Sequence, residues 1–493
     1  MSTVMAVSPF LLLVAAGLAI MLLDAFVHER AELAFVTAVS LFGAAALAGA
    51  GAIFGVHGPL PSALTSYLAI DRFSFFFQSV ICLGGAMTAL LAGGYLPEHR
   101  LDRGELYVLI LFSSVGAMVL ASAANLITLF IGIETMALGV YAMAGFRRTS
   151  PRALEGAIKY FLLGSFAAAV LLFGSAMLYG ATGSLDFAGI TESIRSGRAD
   201  VVMTAIGLPL LLIGLVFEVS AVPFHQWTPD VYEGSVTPAT TYMSIAVKTA
   251  AFAILVRVLA VSFGDSVSAS VSTGWPAVIV ALSILTMLYG NFTAIVQSNV
   301  KRMLAYSSIA HAGYVLVGVA AISRVGELAV SATLYYLLAY TFSNVLAFGS
   351  LIWAGSRGKE AVSYDDIAGL GRRHPGVGLA FSVGVLSLLG FPPTAGFFGK
   401  YYVFNAAVQA GGGFVYLAVL GVLASAVGAY YYLKVIVYLY MREPEEDAPV
   451  AVPMRSGYVV AALLIAAFGV IEFGIFPGHY LEVALSAAHQ LLG

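Results

Sequence analysis

Seven ionisable residues of this 493-residue sequence stand inside or beside long apolar runs, where their side chains could pass protons. Glu134 follows Leu129-Phe130-Ile131-Gly132-Ile133, Lys159 lies one helical turn after Glu155, and Glu218 follows Val216-Phe217. Lys248 ends Ser244-Ile245-Ala246-Val247, Lys400 ends Gly396-Phe397-Phe398-Gly399, and His225 and His311 each stand alone. A charge at the centre of a membrane helix costs at least ~2.5 kcal/mol unless it is paired or hydrated. Carboxylates, amines and imidazoles at that depth form a chain of protonatable groups, and lysine suits the task because desolvation makes its proton easier to lose. The structural alternative is pairing, or snorkelling of a long side chain to the interface. That alternative is preferred for Lys434, Arg257 and Asp24 near span ends, and the functional reading for Glu134, Lys248 and Lys400. Two isolated histidines with no nearby cysteine make a poor zinc site. His225 and His311 fit either a proton relay or ordinary buried hydrogen bonding. Tyr306-Ser307-Ser308 beside His311 could hydrogen-bond across helices or support a water wire.

The elements that must hold these residues follow from composition. Hydrophobic residues make up 60% of the chain and charged residues 10%, with a formal net charge of -3. A soluble domain runs nearer half apolar and a quarter charged, so most of these side chains face lipid or other membrane helices. The near-neutral balance offers no basic stripe for nucleic acid. The fold class expected is an all-α polytopic membrane protein with about fourteen transmembrane helices, at about 8-27, 33-56, 69-96, 105-121, 124-146, 153-180, 201-222, 237-261, 275-297, 302-322, 327-354, 376-411, 413-440 and 457-478. Each run is long enough to cross a ~30 Å hydrocarbon layer. The first lacks a basic leader and reads as a retained span.

Lys and Arg accumulate in cytoplasmic loops. Fourteen of the 23 basic residues fall in the odd-numbered loops, among them Arg30, Arg147, Lys301, Arg302 and Arg357, and four in the even ones. Both termini are therefore expected on the non-cytoplasmic side. Two spans are broken, by Val222-Pro223-Phe224-His225 and by Gly390-Phe391-Pro392-Pro393-Thr394. Proline removes a backbone donor, and irregular backbone at membrane depth survives only where protein or a wet cavity satisfies it. Pro223 lies 118 residues after Glu105 and Pro392 lies 117 after Trp275, which suggests two inverted five-helix units,. The division expected is 1-104, helices 1 to 3; 105-261, the first unit; 275-440, the second; and 441-493, the last helix. Ordinary proline kinks are the plainer alternative.

A single cysteine, Cys82, allows neither an internal disulfide nor a four-cysteine iron-sulfur cluster,. No phosphate-binding loop and no dinucleotide fingerprint is present. Any redox centre therefore belongs to another chain.

Four ordered motifs, Val222 to Gly234 (VPFHQWTPDVYEG), Ser244 to Lys248, Lys301 to Tyr314 (KRMLAYSSIAHAGY) and Gly390 to Lys400 (GFPPTAGFFGK), resemble the antiporter-like membrane subunits of respiratory complex I, the bacterial NADH-quinone oxidoreductase. The resemblance covers spans 2 to 14. The Thr228 to Glu233 wording and Lys400 favour the N type over the M type, and the short tail argues against the L type. It implies a proton-translocating module of the bacterial inner membrane with no cofactor of its own. Quinone, flavin and iron-sulfur clusters would lie in other subunits, and M-type and K-type membrane subunits and lipids would be its partners. Carried over by position, Glu134, Lys248, Lys400 and Lys159 match the family's ionisable residues, and His225 and His311 fall on histidines of its motifs. Glu218 departs, standing where the family usually has lysine, so the expected pair is Glu134 with Glu218, possible sharers of one proton. A balancing role for Lys159 is one option. The related alternative is an Mrp-type or stand-alone cation/proton antiporter subunit; the other is a structural spacer, which five or more buried charges make costly.

Overall fold

The computed structural model describes residues 2–26, 31–56, 60–264, 268–270, 274–356, 358–444 and 451–493. Arg30 and Arg357, counted above among the loop charges, lie outside the described residues. The described chain is helical throughout, in the order α1 Ser2–Leu23, α2 Ala31–Phe54, α3 Ser62–Thr65, α4 Arg72–Glu98, α5 Glu105–Ala121, α6 Leu126–Ala144, α7 Pro151–Thr182, α8 Phe187–Arg195, α9 Val201–Glu218 and α10 Trp227–Gly234. It continues with α11 Thr237–Tyr242, α12 Lys248–Arg257, α13 Trp275–Ile295, α14 Val300–Ala354, α15 Leu370–Arg373, α16 Pro375–Leu389, α17 Ala395–Ala410, α18 Gly413–Met441, α19 Gly457–Ile475 and α20 Pro477–Leu492. Among the described residues, eleven helical stretches are long and apolar enough to cross a membrane, and α5 and α16 are shorter apolar helices.

Helix starts coincide with side chains that can satisfy the orphan amides of the first turn. Asp71 accepts from Ser74 N at 2.7 Å, Asn125 from Thr128 N at 2.7 Å, Asp200 from Met203 N at 2.8 Å and Asn299 from Arg302 N at 3.0 Å. The helices then pack on small residues, as expected where lipid supplies little hydrophobic drive for helix association. A Cβ on Gly116 would meet Met136 N at 2.3 Å, and one on Gly174 would meet Leu211 N at 2.5 Å. These glycines seat α5 on α6 and α7 on α9.

The breaks fall where proline interrupts the spans. The first helix ends at Glu218, four residues before the predicted end of its span, and resumes at Trp227. The second pauses between Leu389 and Ala395. Each break contains a cis X–Pro bond, at Val222–Pro223 and Pro392–Pro393. The spans predicted at 302-322 and 327-354 form a single element of 55 residues divided at Gly326, whose φ of 39° and ψ of -108° leave the helical region. Glycine alone adopts this conformation without strain. Two amphipathic helices, α8 and α20, were not anticipated because they are short and not continuously apolar. The second packs on α4 and α14: Gln490 Oε1 accepts from Arg72 N at 2.7 Å, Ser486 bonds the Arg72 guanidinium, and His489 Nδ1 lies 2.8 Å from Glu327.

Candidate functional site

Between Thr237 and Ser262 the chain is helical, with wider π turns at Met243–Val247 and Val258–Ser262. Such turns locally interrupt the regular bonding ladder, and here one delivers Lys248 to the core. Lys248 is 2% exposed and its Nζ donates to the Ser308 carbonyl at 2.7 Å. Ser308 Oγ in turn accepts from Tyr340 at 2.7 Å. One turn along α14, His311 Nδ1 meets Tyr336 Oη at 2.7 Å and Nε2 meets Tyr432 Oη at 2.9 Å, and Tyr432 also bonds Ser307 Oγ at 2.5 Å. His311 lies within electrostatic reach of both Lys248 and Lys400.

Lys400 stands just beyond the second break, and the break supplies its partner. Its Nζ donates to the Leu389 carbonyl at 2.8 Å and to Ser425 Oγ at 2.7 Å, 4.9 Å from the centre of the Tyr314 ring. Leu389 ends α16, so its carbonyl is among those with no intrahelical partner, at the negative end of the helix dipole. Both lysines thus rest on backbone carbonyls, with no ion pair to either among the described residues. A cavity of about 10 Å³, the size of one water position, is lined by His311, Tyr336, Tyr340, Ser343, Ser387 and Gly396, and so joins the histidine to the second break,.

Glu218 closes α9 at the first break, 4% exposed, with Oε2 lacking a hydrogen bond among the described residues. Glu134 is within electrostatic reach of it, as are Tyr141 and Tyr160. Glu134 itself is half-buried, and its neighbours Ile131 and Leu138 face outward. The two carboxylates are thus within electrostatic reach, with no hydrogen bond between them among the described residues, and α9 packs on α12, which carries Lys248. No hydrogen bond or ion pair joins Glu218 to Lys248 among the described residues.

Two predicted members stand apart. Lys159 does not balance Glu218: its Nζ is held by Glu155 at 2.6 Å and Asp230 at 2.8 Å, on a side chain 42% exposed. Arg302 draws Asp230 and Glu233 into the same group, each at 2.8 Å. His225 lies in the first break against the Tyr289 ring, with centroids 4.5 Å apart. Arg257 grips Asp71 through two bonds of 2.7 and 2.9 Å, and Lys434 lies 4.2 Å from the centre of the Tyr364 ring. Sequence reasoning missed Asp71, Asp230 and Glu360 as partners, since nothing in a linear pattern pairs residues 59 to 186 positions apart. Lys301, counted as a loop charge, is in fact buried, 3.7 Å from Glu360.

A polytopic helical membrane protein with two broken helices, and with carboxylates, lysines and a histidine threaded through its core, defines a class of membrane transport module. The family described as "NADH:quinone oxidoreductase/Mrp antiporter, TM" matches residues 123–427. NADH-quinone oxidoreductase subunit N 1 of Sorangium cellulosum is 54% identical, with 98% of each chain covered. A chain of respiratory complex I from Thermus thermophilus superposes with a TM-score of 0.78 at 35% identity, over 96% of this chain and 98% of that one. A chain of the Mrp complex from Dietzia shares the fold, with a TM-score of 0.85 at 23% identity, over 100% of this chain and 97% of the other. The chain belongs to the NADH:quinone oxidoreductase/Mrp antiporter membrane family.

Proposed function

We propose that this chain is the antiporter-like, proton-translocating membrane subunit of an NADH-quinone oxidoreductase, coupling quinone reduction in other subunits to proton transfer through its own core. The observation that carries this reading is the run of buried ionisable groups, Glu218, Lys248, His311 and Lys400, in a chain 54% identical to a subunit N. Lys248 and Lys400 alternate between ammonium and amine, each exchanging its proton with hydroxyl-rich surroundings: Ser308 and Tyr340 at one, Ser425 at the other. Glu134 and Glu218 share a proton because two nearby carboxylates cannot both ionise cheaply. His311 relays between the lysines, Tyr336 and Tyr432 fixing its ring. Lys159 and His225 serve at the margins, the first through Asp230 and the second at the break.

The chain works beside M-type and K-type membrane subunits in the bacterial inner membrane, and electron carriers reside in other subunits. Fourteen crossings are supported if α14 counts as two and α16 with α17 as one. The units 105-261 and 275-440, inverted relative to one another, each hold one break; segments 1-104 and 441-493 flank them, and the termini face away from the cytoplasm. Purification from the native membrane tests the assignment. Copurification with flavin and iron-sulfur subunits supports it, whereas sodium-dependent proton flux without NADH-linked activity would place the chain among Mrp-type antiporters.

A further inference from the structure

Glu360, in the segment after α14, belongs neither to the buried axis nor to an ordinary surface pair. Its carboxylate accepts from Thr237 Oγ1 at 2.8 Å and from Tyr95, and lies 3.7 Å from Lys301 Nζ. Lys301 is 1% exposed, while the Glu360 side chain keeps 20% of its surface open, so the residue sits at the rim of the core with part of its side chain reaching solution. It lies on the face of the odd-numbered loops, which charge asymmetry assigns to the cytoplasm.

Thr237 begins the helical stretch that carries Lys248. From it the polar side chains recur at Thr241 and Ser244, offsets of four and seven residues that lie on one helical face, and Lys248 follows Ser244 by four residues across the π turn at Met243–Val247, which turns it away from the straight α-helical line,. The stripe spans about 16 Å at 1.5 Å per residue. All four side chains are buried. Thr241 Oγ1 donates to the Thr237 carbonyl at 2.9 Å and Ser244 Oγ to the Thr241 carbonyl at 2.8 Å, so each hydroxyl oxygen is left able to accept,. Small hydroxyl residues also serve simple helix packing. Packing alone does not explain why the stripe ends on a solvent-reaching carboxylate that its first hydroxyl holds.

We propose that Glu360 is the proton-loading carboxylate for Lys248, with Thr237, Thr241 and Ser244 as the path between them. The proposal rests on the reading above that Lys248 changes protonation during turnover. Glu360 takes a proton from solution; its O–H proton passes to a hydroxyl or water on the stripe, which releases its own onward. The neutral Lys248 amine becomes ammonium as Glu360 returns to carboxylate. Burial raises the Glu360 carboxyl, but Lys301, Tyr95 and Thr237 outweigh burial and hold it below the usual range. It therefore rests ionised as a weak base that holds a proton only in passing, and once protonated it is a stronger acid than an ammonium,. Arg147 donates to Tyr95 at 3.3 Å and His99 stacks on the same ring at 4.1 Å.

The test uses the complete complex in proteoliposomes, with proton uptake and NADH oxidation measured together. Glu360→Gln keeps an oxygen for Thr237 and Tyr95, and Thr241→Val keeps the volume of the stripe. Each is expected to lower proton uptake at least about tenfold, a loss smaller than the ~10²–10⁴ that a positioned proton-transfer group can contribute. Glu360→Asp is expected to restore part of it. Wild-type pumping in Thr241→Val, or in an assembled Glu360→Gln complex, overturns the proposal, and the valine variant decides if the glutamine variant does not assemble. Lys248→Met separates the two readings. Wild-type pumping there removes the role of Lys248 itself; blocked pumping there with normal pumping in Glu360→Gln and Thr241→Val removes only the loading path.

Discussion

Lys248 and Lys400 are anchored by carbonyls and hydroxyls, which hold an amine in place whether or not it carries a proton. A carboxylate partner would instead favour the charged form and resist its discharge. Methionine at either position retains much of the side-chain volume but no titratable group. Lys248→Met and Lys400→Met are each expected to lower proton pumping at least about a hundredfold with the complex still assembled, the lower end of the ~10²–10⁴ that a proton-transfer group contributes. Full pumping in a purified Lys248→Met complex would contradict its central place. Glu218 asks a different question, since the charged group within electrostatic reach of it is another carboxylate, Glu134. If it relays, both Glu218→Gln and Glu218→Lys change the number of protons moved per NADH; wild-type stoichiometry in both would leave it a structural residue.

At the scale of elements, the second break depends on close backbone contact. A Cβ on Gly396 would meet the Ser387 carbonyl oxygen at 1.8 Å, and backbone on both sides leaves little room to yield. Gly396→Ala is expected to cost about 1–3 kcal/mol or more of stability and to move α17, and with it Lys400, away from the Leu389 carbonyl. The check is a lower thermal midpoint together with lost pumping; an unchanged midpoint would show that the break adapts. The helix bearing Lys248 is fixed at its far end by Arg257 on Asp71, side chains 5% and 16% exposed. Removing one partner of such a pair strands the other, at about 3–5 kcal/mol. Arg257→Met should therefore lower the thermal midpoint far more than the exposed-pair variant Arg198→Met, whose ion pair to Glu192 spans 3.7 Å on side chains 68% and 69% exposed,.

For the molecule as a whole, Glu360 joins the end of α4, the start of α11 and the start of α14 through Tyr95, Thr237 and Lys301. Its carboxyl is held below the ordinary range, so its stabilising effect is complete above the unfolded glutamate value, about 4.3. The effect fades as pH falls through the lower folded value. The thermal midpoint of Glu360→Gln should accordingly lie below that of the wild type at neutral pH, with the gap closing on acidification below about pH 4. A gap that persists there would mean that the carboxylate's charge is not what ties these elements together.

Much of the axis was legible in the residues themselves. Lys248 and Lys400 stood out because a lysine in an apolar run has so few neighbours of its kind, and both breaks were marked by proline, which cannot continue a helix,. The division of α14 was expected within a few residues of Gly326. Pairing was not legible: Arg257 and Asp71 are 186 positions apart, and Lys159 turned to Asp230 instead of Glu218. Helices apolar on nearly every side carry little periodicity to say which face meets which. Composition and local chemistry, acting through the cost of charge in lipid, therefore determined by themselves that this is a membrane protein with scarce, meaningful charges. Only the tertiary structure decided which of those charges meet, because partners are set by helix packing, and packing in a membrane depends on the fit of small residues more than on hydrophobicity.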